Sequence, residues 1–248
     1  MTNQSQPTIF VAQDLDILSK SLCEWIRKLA MDSIASPRGR FTIALSGGSL
    51  PKTLSRSLLT MTDMNWSQWF VFLADERCVP LTHSDSNGKL IQETLLNHLP
   101  IPSSQFFHLP SNLTFDSKTP PENISDRMSQ LSLSYELKLK SVFSNSLTTT
   151  TQSLPEFDLI LLGMGPDGHT CSLFPGHSSL FDNSWITSLV DSPKLPPYRI
   201  SFTLSLINNA KNVCFVVTGE GKSNTLVKIL DDKDSTLPCV LGKSEKND

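Results

Sequence analysis

Phe157-Asp-Leu-Ile-Leu-Leu162, running directly into Gly163-Met-Gly-Pro-Asp-Gly-His169, is the stretch on which the reading of this chain turns. Its first half is a short, continuous apolar run, the pattern of a strand buried on both faces. Its second half breaks into glycines that carry a carboxylate and an imidazole two positions apart. In open α/β sheets, ligands sit beyond the carboxyl ends of the strands, so this junction predicts a parallel sheet and a site together.

The same strand-to-loop grammar recurs toward the N-terminus. Phe41-Thr-Ile-Ala-Leu45 is a second buried run, and it leads into Ser46-Gly47-Gly48-Ser49 and then Leu50-Pro51-Lys52, where the proline suits a helix's first turn. Leu50, Leu54 and Leu58 continue as a helical stripe. A third apolar run over residues 69–74 stops at Asp75-Glu76-Arg77. Helical spacing predicts helices over residues 14–34, about 87–98, about 121–143 and about 222–231. Further strands are expected over 185–190, 199–206 and 213–218, and residues 111–120 and 144–153 read as mobile surface loops. Strands alternating with helices in this way predict one α/β domain over residues 1–248, with a largely parallel sheet covered by helices on both faces.

Composition narrows the function classes. At 38% hydrophobic and 18% charged residues, the chain can bury a core and is not a disordered segment. A net charge of −3 gives no electrostatic reason to expect nucleic acid, although a local basic pocket can still hold a small anion. Cys23, Cys78, Cys171, Cys214 and Cys239 are scattered, without CxxC pairs or zinc-type spacing, and are expected to be free thiols in a reducing compartment. The opening residues lack the basic and apolar regions of a signal peptide, and no apolar run reaches the ~20 residues of a membrane span. A cytoplasmic location without membrane contact is the expectation.

Several motifs carry chemistry. Gly163-x-Gly165-x-x-Gly168 formally matches a dinucleotide fingerprint, but Pro175 and Gly176 break the chain before a full helix can carry a pyrophosphate. Gly221-Lys222-Ser223 lacks the first glycine of a P-loop, yet Lys222 at a helix start beyond a strand suits a phosphate monoester. The amides of Ser46-Gly47-Gly48 can approach an anion closely, or can simply form a tight turn. Ser46 is not an elbow nucleophile, because Ala44 stands where that motif needs glycine. Cys171 with His169 lacks a third member, so a small buried thiol is the better reading. Asp167-Gly168-His169 places a carboxylate beside an imidazole at a strand end, which suits general base work near neutral pH.

Taken together, Leu45-Ser-Gly-Gly-Ser-Leu-Pro-Lys52, Asp75-Glu-Arg-Cys-Val-Pro80 with Ser86-Asn87, and the Leu162 to Gly176 stretch resemble the signatures of 6-phosphogluconolactonases. Their order and spacing match, as does Pro197-Tyr-Arg199-Ile-Ser-Phe-Thr203 followed by Asn208. Glucosamine-6-phosphate deaminases share versions of these motifs, but typically follow the histidine with Phe-Asn-Glu-Pro, where this chain has Ser172-Leu-Phe-Pro-Gly176. The resemblance implies a Rossmann-like sheet of the deaminase and ribose-phosphate-isomerase type. It implies hydrolysis of 6-phospho-D-glucono-1,5-lactone in the oxidative pentose phosphate pathway, without metal or cofactor. His169 would be the general base and Asp167 would orient it. Ser46, Gly47, Gly48, Asp75, Arg77, Arg199 and Lys222 would bind sugar or phosphate, with Arg77 also able to pair with Asp167. The partner is a small phosphorylated sugar lactone, and the chain is expected to be a monomer functionally linked to glucose-6-phosphate dehydrogenase. The alternatives are a deaminase-like isomerase and a non-catalytic sugar-phosphate sensor.

Overall fold

The computed structural model describes residues 7–113, 115, 121–143, 154–232 and 234–241. The first helix, α1 (Leu15–Ala35), starts where the Asp14 carboxylate accepts hydrogen bonds from the backbone N–H of Asp16 (2.9 Å) and Ile17 (2.8 Å). Then follow β1 (Phe41–Leu45), α2 (Leu50–Leu58), β2 (Trp69–Leu73), β3 (Asp75–Arg77), α3 (Asn87–Thr94), β4 (Phe106–Phe107), α4 (Pro121–Phe143) and β5 (Leu159–Leu162). The remaining elements are β6 (Ile186–Leu189), β7 (Arg199–Phe202), α5 (Leu204–Asn208), β8 (Val213–Phe215), α6 (Ser223–Leu230) and α7 (Pro238–Leu241).

The main sheet has the order β4-β2-β1-β5-β8, and every pairing in it is parallel. The expected α/β class and parallel sheet are therefore observed. Alternate residues of β2 face opposite ways. Val71 lies with Ile26 of α1, Leu54 and Leu58 of α2 and Ile43 of β1. Phe72 points to the other side, where it meets Phe143 of α4 and Phe157. Phe157 in turn contacts Phe202, so this face is covered by α4 and by a second sheet.

That second sheet, β3-β7-β6, is antiparallel. The strands expected over 185–190 and 199–206 lie here and not in the parallel sheet. The connection from β6 to β7 holds no helix, and a parallel crossover needs about a dozen or more residues. The stretch expected to continue as strand to residue 206 instead turns into α5, because the Thr203 hydroxyl caps it by accepting from the Leu206 N–H at 3.3 Å. Asp75-Glu76-Arg77, read as a strand's end, is itself β3. The helix expected to reach residue 98 ends at Thr94 and is followed by a 3-10 turn at Leu96–His98. Residues 114, 116–120 and 144–153 of the expected surface loops lie outside the described residues.

The chain path fixes where a ligand can enter. From β1 it steps through β2 to β4 at one edge, then returns by α4 to β5 on the other side of β1. The order therefore reverses between β1 and β5. The loops leaving those two strands, Ser46-Gly47-Gly48 and Gly163 to His169, lie at this switch point.

Candidate active site at the sheet switch point

The loop after β5 is folded by its own backbone. Gly165 N–H donates to His169 O (2.8 Å) and Gly168 N–H donates to Gly165 O (3.0 Å), with Gly168 at φ +82°. A Cβ on Gly165 would lie 2.0 Å from His169 Nδ1, so only glycine lets the imidazole fold back over the loop. His169 Nδ1 sits 2.5 Å from Asp167 Oδ1. A carboxylate only accepts, so Nδ1 carries the proton and Nε2 presents its lone pair. Nε2 makes no hydrogen bond among the described residues. The ring stacks on Phe174 at 4.8 Å between centroids.

Charge around this pair is uneven. Burial pushes the Asp167 carboxyl up, but hydrogen bonds from His169 and Lys194 outweigh it and hold the group at about 2. Burial depresses the His169 imidazole, partly opposed by Asp167 and reinforced by Lys194. The pair is thus an ionised carboxylate beside a neutral imidazole at neutral pH.

The β3–β7 ladder lays out the wall opposite. Asp75 faces Ser201 and Arg77 faces Arg199 directly across it. The Asp75 carboxylate is buried and accepts from Ser172 Oγ (2.8 Å) and Asn87 Nδ2 (3.2 Å). Glu76 points the other way, into the start of α3, and accepts from the N–H groups of Arg77, Asn87 and Gly88 (each 2.7 Å) and from Ser86 Oγ (2.9 Å). Burial pushes its carboxyl up to about 7 against those four donors.

The structure separates the basic residues that the sequence grouped together. Arg77 Nη1 donates to Asp85 O (2.9 Å), and its buried Nε has no partner among the described residues. The expected Arg77–Asp167 ion pair is not formed; the ammonium at Asp167 Oδ2 is Lys194, at 3.0 Å. Asp167 belongs to the β5 loop while Arg77 is drawn toward the 80–86 loop by its bond to Asp85. Arg199 is 2% exposed and directs Nε to Pro196 O (2.9 Å) and Nη2 to Lys194 O (2.8 Å) and Leu195 O (3.1 Å). Lys222 ends the turn Glu220–Lys222 ahead of α6, near enough to the buried Cys239 to oppose the rise that burial gives its thiol, which stands at about 12. Cys239 Sγ–H reaches His169 O (3.8 Å).

Ser46 is buried and anchored by its N–H to Leu161 O (3.0 Å). Gly47 is pressed against Asn87, whose Oδ1 would lie 1.9 Å from any Cβ there, and Gly48 takes φ +71°. Ser49 gives α2 no side-chain cap, so the first-turn amides of α2 depend on other acceptors. Asn87, Ser172, Phe174 and Lys194 were not singled out as site residues from sequence. Asn87, Ser172 and Phe174 lie inside the motifs that carry the resemblance, and Lys194 is a lone cation in the proline-bracketed Ser192-Pro-Lys-Leu-Pro-Pro197. Among the described residues no group of three or more His, Cys, Asp or Glu side chains is placed to hold a metal ion.

A doubly wound sheet with a carboxylate-oriented histidine at its switch point defines the class: an α/β protein with its polar site beyond the carboxyl ends of the parallel strands. The chain belongs to the glucosamine-6-phosphate isomerase/6-phosphogluconolactonase family, whose model matches residues 13–248. It is 40% identical over 229 residues to the 6-phosphogluconolactonase of Rattus norvegicus, covering 90% of this chain and 82% of that one. It is also 40% identical over 233 residues to a probable chloroplastic 6-phosphogluconolactonase 3 of Oryza sativa subsp. indica, covering 92% of this chain but only 66% of the rice protein, just under two thirds of its length. The crystal structure of 6-phosphogluconolactonase from Leishmania guyanensis superposes with a TM-score of 0.80 at 25% identity, over 98% of this chain and 94% of that one.

Proposed function

We propose that the chain hydrolyses 6-phospho-D-glucono-1,5-lactone to 6-phospho-D-gluconate in the oxidative pentose phosphate pathway. The observation that carries this reading is the Asp167–His169 pair, with Nδ1 tied at 2.5 Å and Nε2 open at the switch point of a family fold. His169 Nε2 takes a proton from water as the water oxygen attacks the lactone carbonyl carbon. Asp167 keeps the ring in the tautomer that makes this possible. On collapse of the tetrahedral adduct the bond to the ring oxygen breaks, and the imidazolium returns its proton to that oxygen. A δ-lactone is an activated ester, so one oriented base, positioning and local stabilisation of the oxyanion suffice.

The phosphate belongs on the basic side of the pocket. Like charges directly across a ladder are unfavourable on their own, and the facing Arg77 and Arg199 are consistent with an anion between the walls. Arg77, which donates to one carbonyl, is the better ligand, since the N–H groups of Arg199 already serve three carbonyl oxygens. Lys222 and the Ser46-Gly47-Gly48 amides complete the set, and Asp75 is the acceptor for sugar hydroxyls. We further take residues 1–248 as one domain, supported by a core that runs unbroken from Leu22 to Val216. A cytoplasmic monomer linked to glucose-6-phosphate dehydrogenase through its product is the accompanying reading; no helix among the described residues is long and apolar enough to cross a membrane.

The test is hydrolysis of freshly made lactone, followed as proton release above the spontaneous background, with wild type beside His169→Ala. Turnover by wild type alone, with the variant still folded, is the expected result. An active His169→Ala removes the base assignment. Ammonia release from glucosamine 6-phosphate would redirect the reading to the deaminase branch, and tight product binding without turnover would redirect it to a sensor.

A further inference from the structure

An Asp–His pair by itself favours the imidazolium, because the carboxylate stabilises the positive ring. A base must be oriented by its carboxylate without being kept protonated by it. Lys194 stands where that conflict is resolved. Its Nζ lies 3.0 Å from Asp167 Oδ2, the oxygen that His169 does not use, and 3.1 Å from His169 Nδ1. We infer that Lys194 is a positioning residue that acts through His169: its ammonium offsets the Asp167 charge, so the carboxylate orients the imidazole without holding a proton on it. This rests on the reading of His169 as the base.

The loop is built to keep that ammonium in place. Exposed ion pairs are weak because two long side chains must be ordered to form them. Here the backbone that carries the lysine is fixed independently of the pair. Lys194 O accepts from Arg199 Nη2 (2.8 Å) and Ser192 Oγ (2.9 Å), Leu195 O and Pro196 O accept from the same guanidinium, and Nζ lies 5.9 Å from the Phe174 ring centre. A buried arginine gripping three successive carbonyls fixes the backbone that aims Lys194, which gives Arg199 a purpose apart from phosphate. The groups facing the imidazole are Asp167 and Lys194 in contact, Asp75 beyond them, Arg199 across Phe174, and Cys239 with Lys222 behind the loop. Of the cations, Lys194 is the one in contact.

The test compares full-length wild type, Lys194→Met and Lys194→Arg. NMR titration of the His169 imidazole, assigned by its loss in His169→Gln, is set beside the pH profile of kcat/KM for lactone hydrolysis. In Lys194→Met the imidazole is expected to titrate about one pH unit higher. The acid limb of kcat/KM should move with it, KM should stay within about twofold, and Lys194→Arg should restore most of the shift. An imidazole that titrates unchanged in Lys194→Met overturns the inference, whether KM rises, as for a substrate ligand, or kcat falls, as for a merely structural lysine. If the imidazole shifts but wild type hydrolyses no lactone, the charge balance stands and the lactonase reading fails.

Discussion

A Cβ at Gly165 would sit 2.0 Å from His169 Nδ1 and 2.5 Å from Asp167 Oδ1, so Gly165→Ala must push the imidazole off its carboxylate. Misplacing a catalytic group by about 1 Å can cost 100-fold. The variant is therefore expected to lose about two orders of magnitude in kcat, with a urea midpoint close to wild type; unchanged turnover would show that the loop has slack. Glu76 carries the opposite kind of demand, stability without chemistry. Its carboxylate accepts four hydrogen bonds, three of them from backbone N–H groups, so Glu76→Gln turns an amide NH2 against donors that cannot accept. A loss of about 1–3 kcal/mol per donor left unsatisfied is expected from denaturant unfolding. At this scale the sequence was legible where chemistry is local. Asp167 and His169 are two positions apart on one glycine loop, so their pairing follows from the backbone. Lys194 reaches them from a loop 25 positions beyond His169, and no local pattern announces a contact made by tertiary folding.

Among the elements, β1, β2, β5 and α4 could be read because each is a long or unbroken apolar pattern. The antiparallel sheet was harder, because β3 is three residues and β6 and β7 four each, and an amphipathic stretch of that length does not say which sheet it joins. What distinguishes them is the helix-free link between β6 and β7, a feature of the connection and not of the strands. β4, with two residues, has no period to detect. The joint between α4 and the main sheet is polar at one point, which apolar spacing alone does not reveal. The buried Tyr135 hydroxyl accepts from Leu73 N–H (2.8 Å) and donates to Leu73 O (3.0 Å), at the end of the strand that feeds Asp75. Tyr135→Phe keeps the ring but strands that N–H. It is expected to cost about 1–3 kcal/mol in unfolding free energy, whereas an unchanged denaturant midpoint would mean that another acceptor takes over.

For the molecule as a whole, one crossover decides both fold and site. Because α4 carries the chain back across β1, the two glycine loops after β1 and β5 meet at the switch point, and the second sheet carries Asp75, Arg77 and Arg199. His169 is half-buried there, and that burial is felt by the whole folding equilibrium. The folded-state imidazole is depressed below its ordinary 6.5, so the folded chain binds this proton more weakly than the unfolded chain. Its contribution to stability is fully present above about 6.5 and is lost as pH falls through the lower, folded value. Glu76 works the other way: its carboxyl is raised from 4.5 to about 7, so its contribution is present below 4.5 and lost as pH rises through 7. Between 4.5 and 6.5 the two oppose each other, and the stability curve of the wild type alone cannot resolve them. Comparing wild type with His169→Gln does, because Glu76 is common to both. The difference in urea midpoint is expected to be level above about pH 7.5 and to move in favour of the variant as the pH falls below the unfolded histidine value. A difference that stays level down to about pH 5 would mean that the imidazole is not depressed in the folded protein, and the proposed role of His169 as a neutral base would lose its electrostatic support.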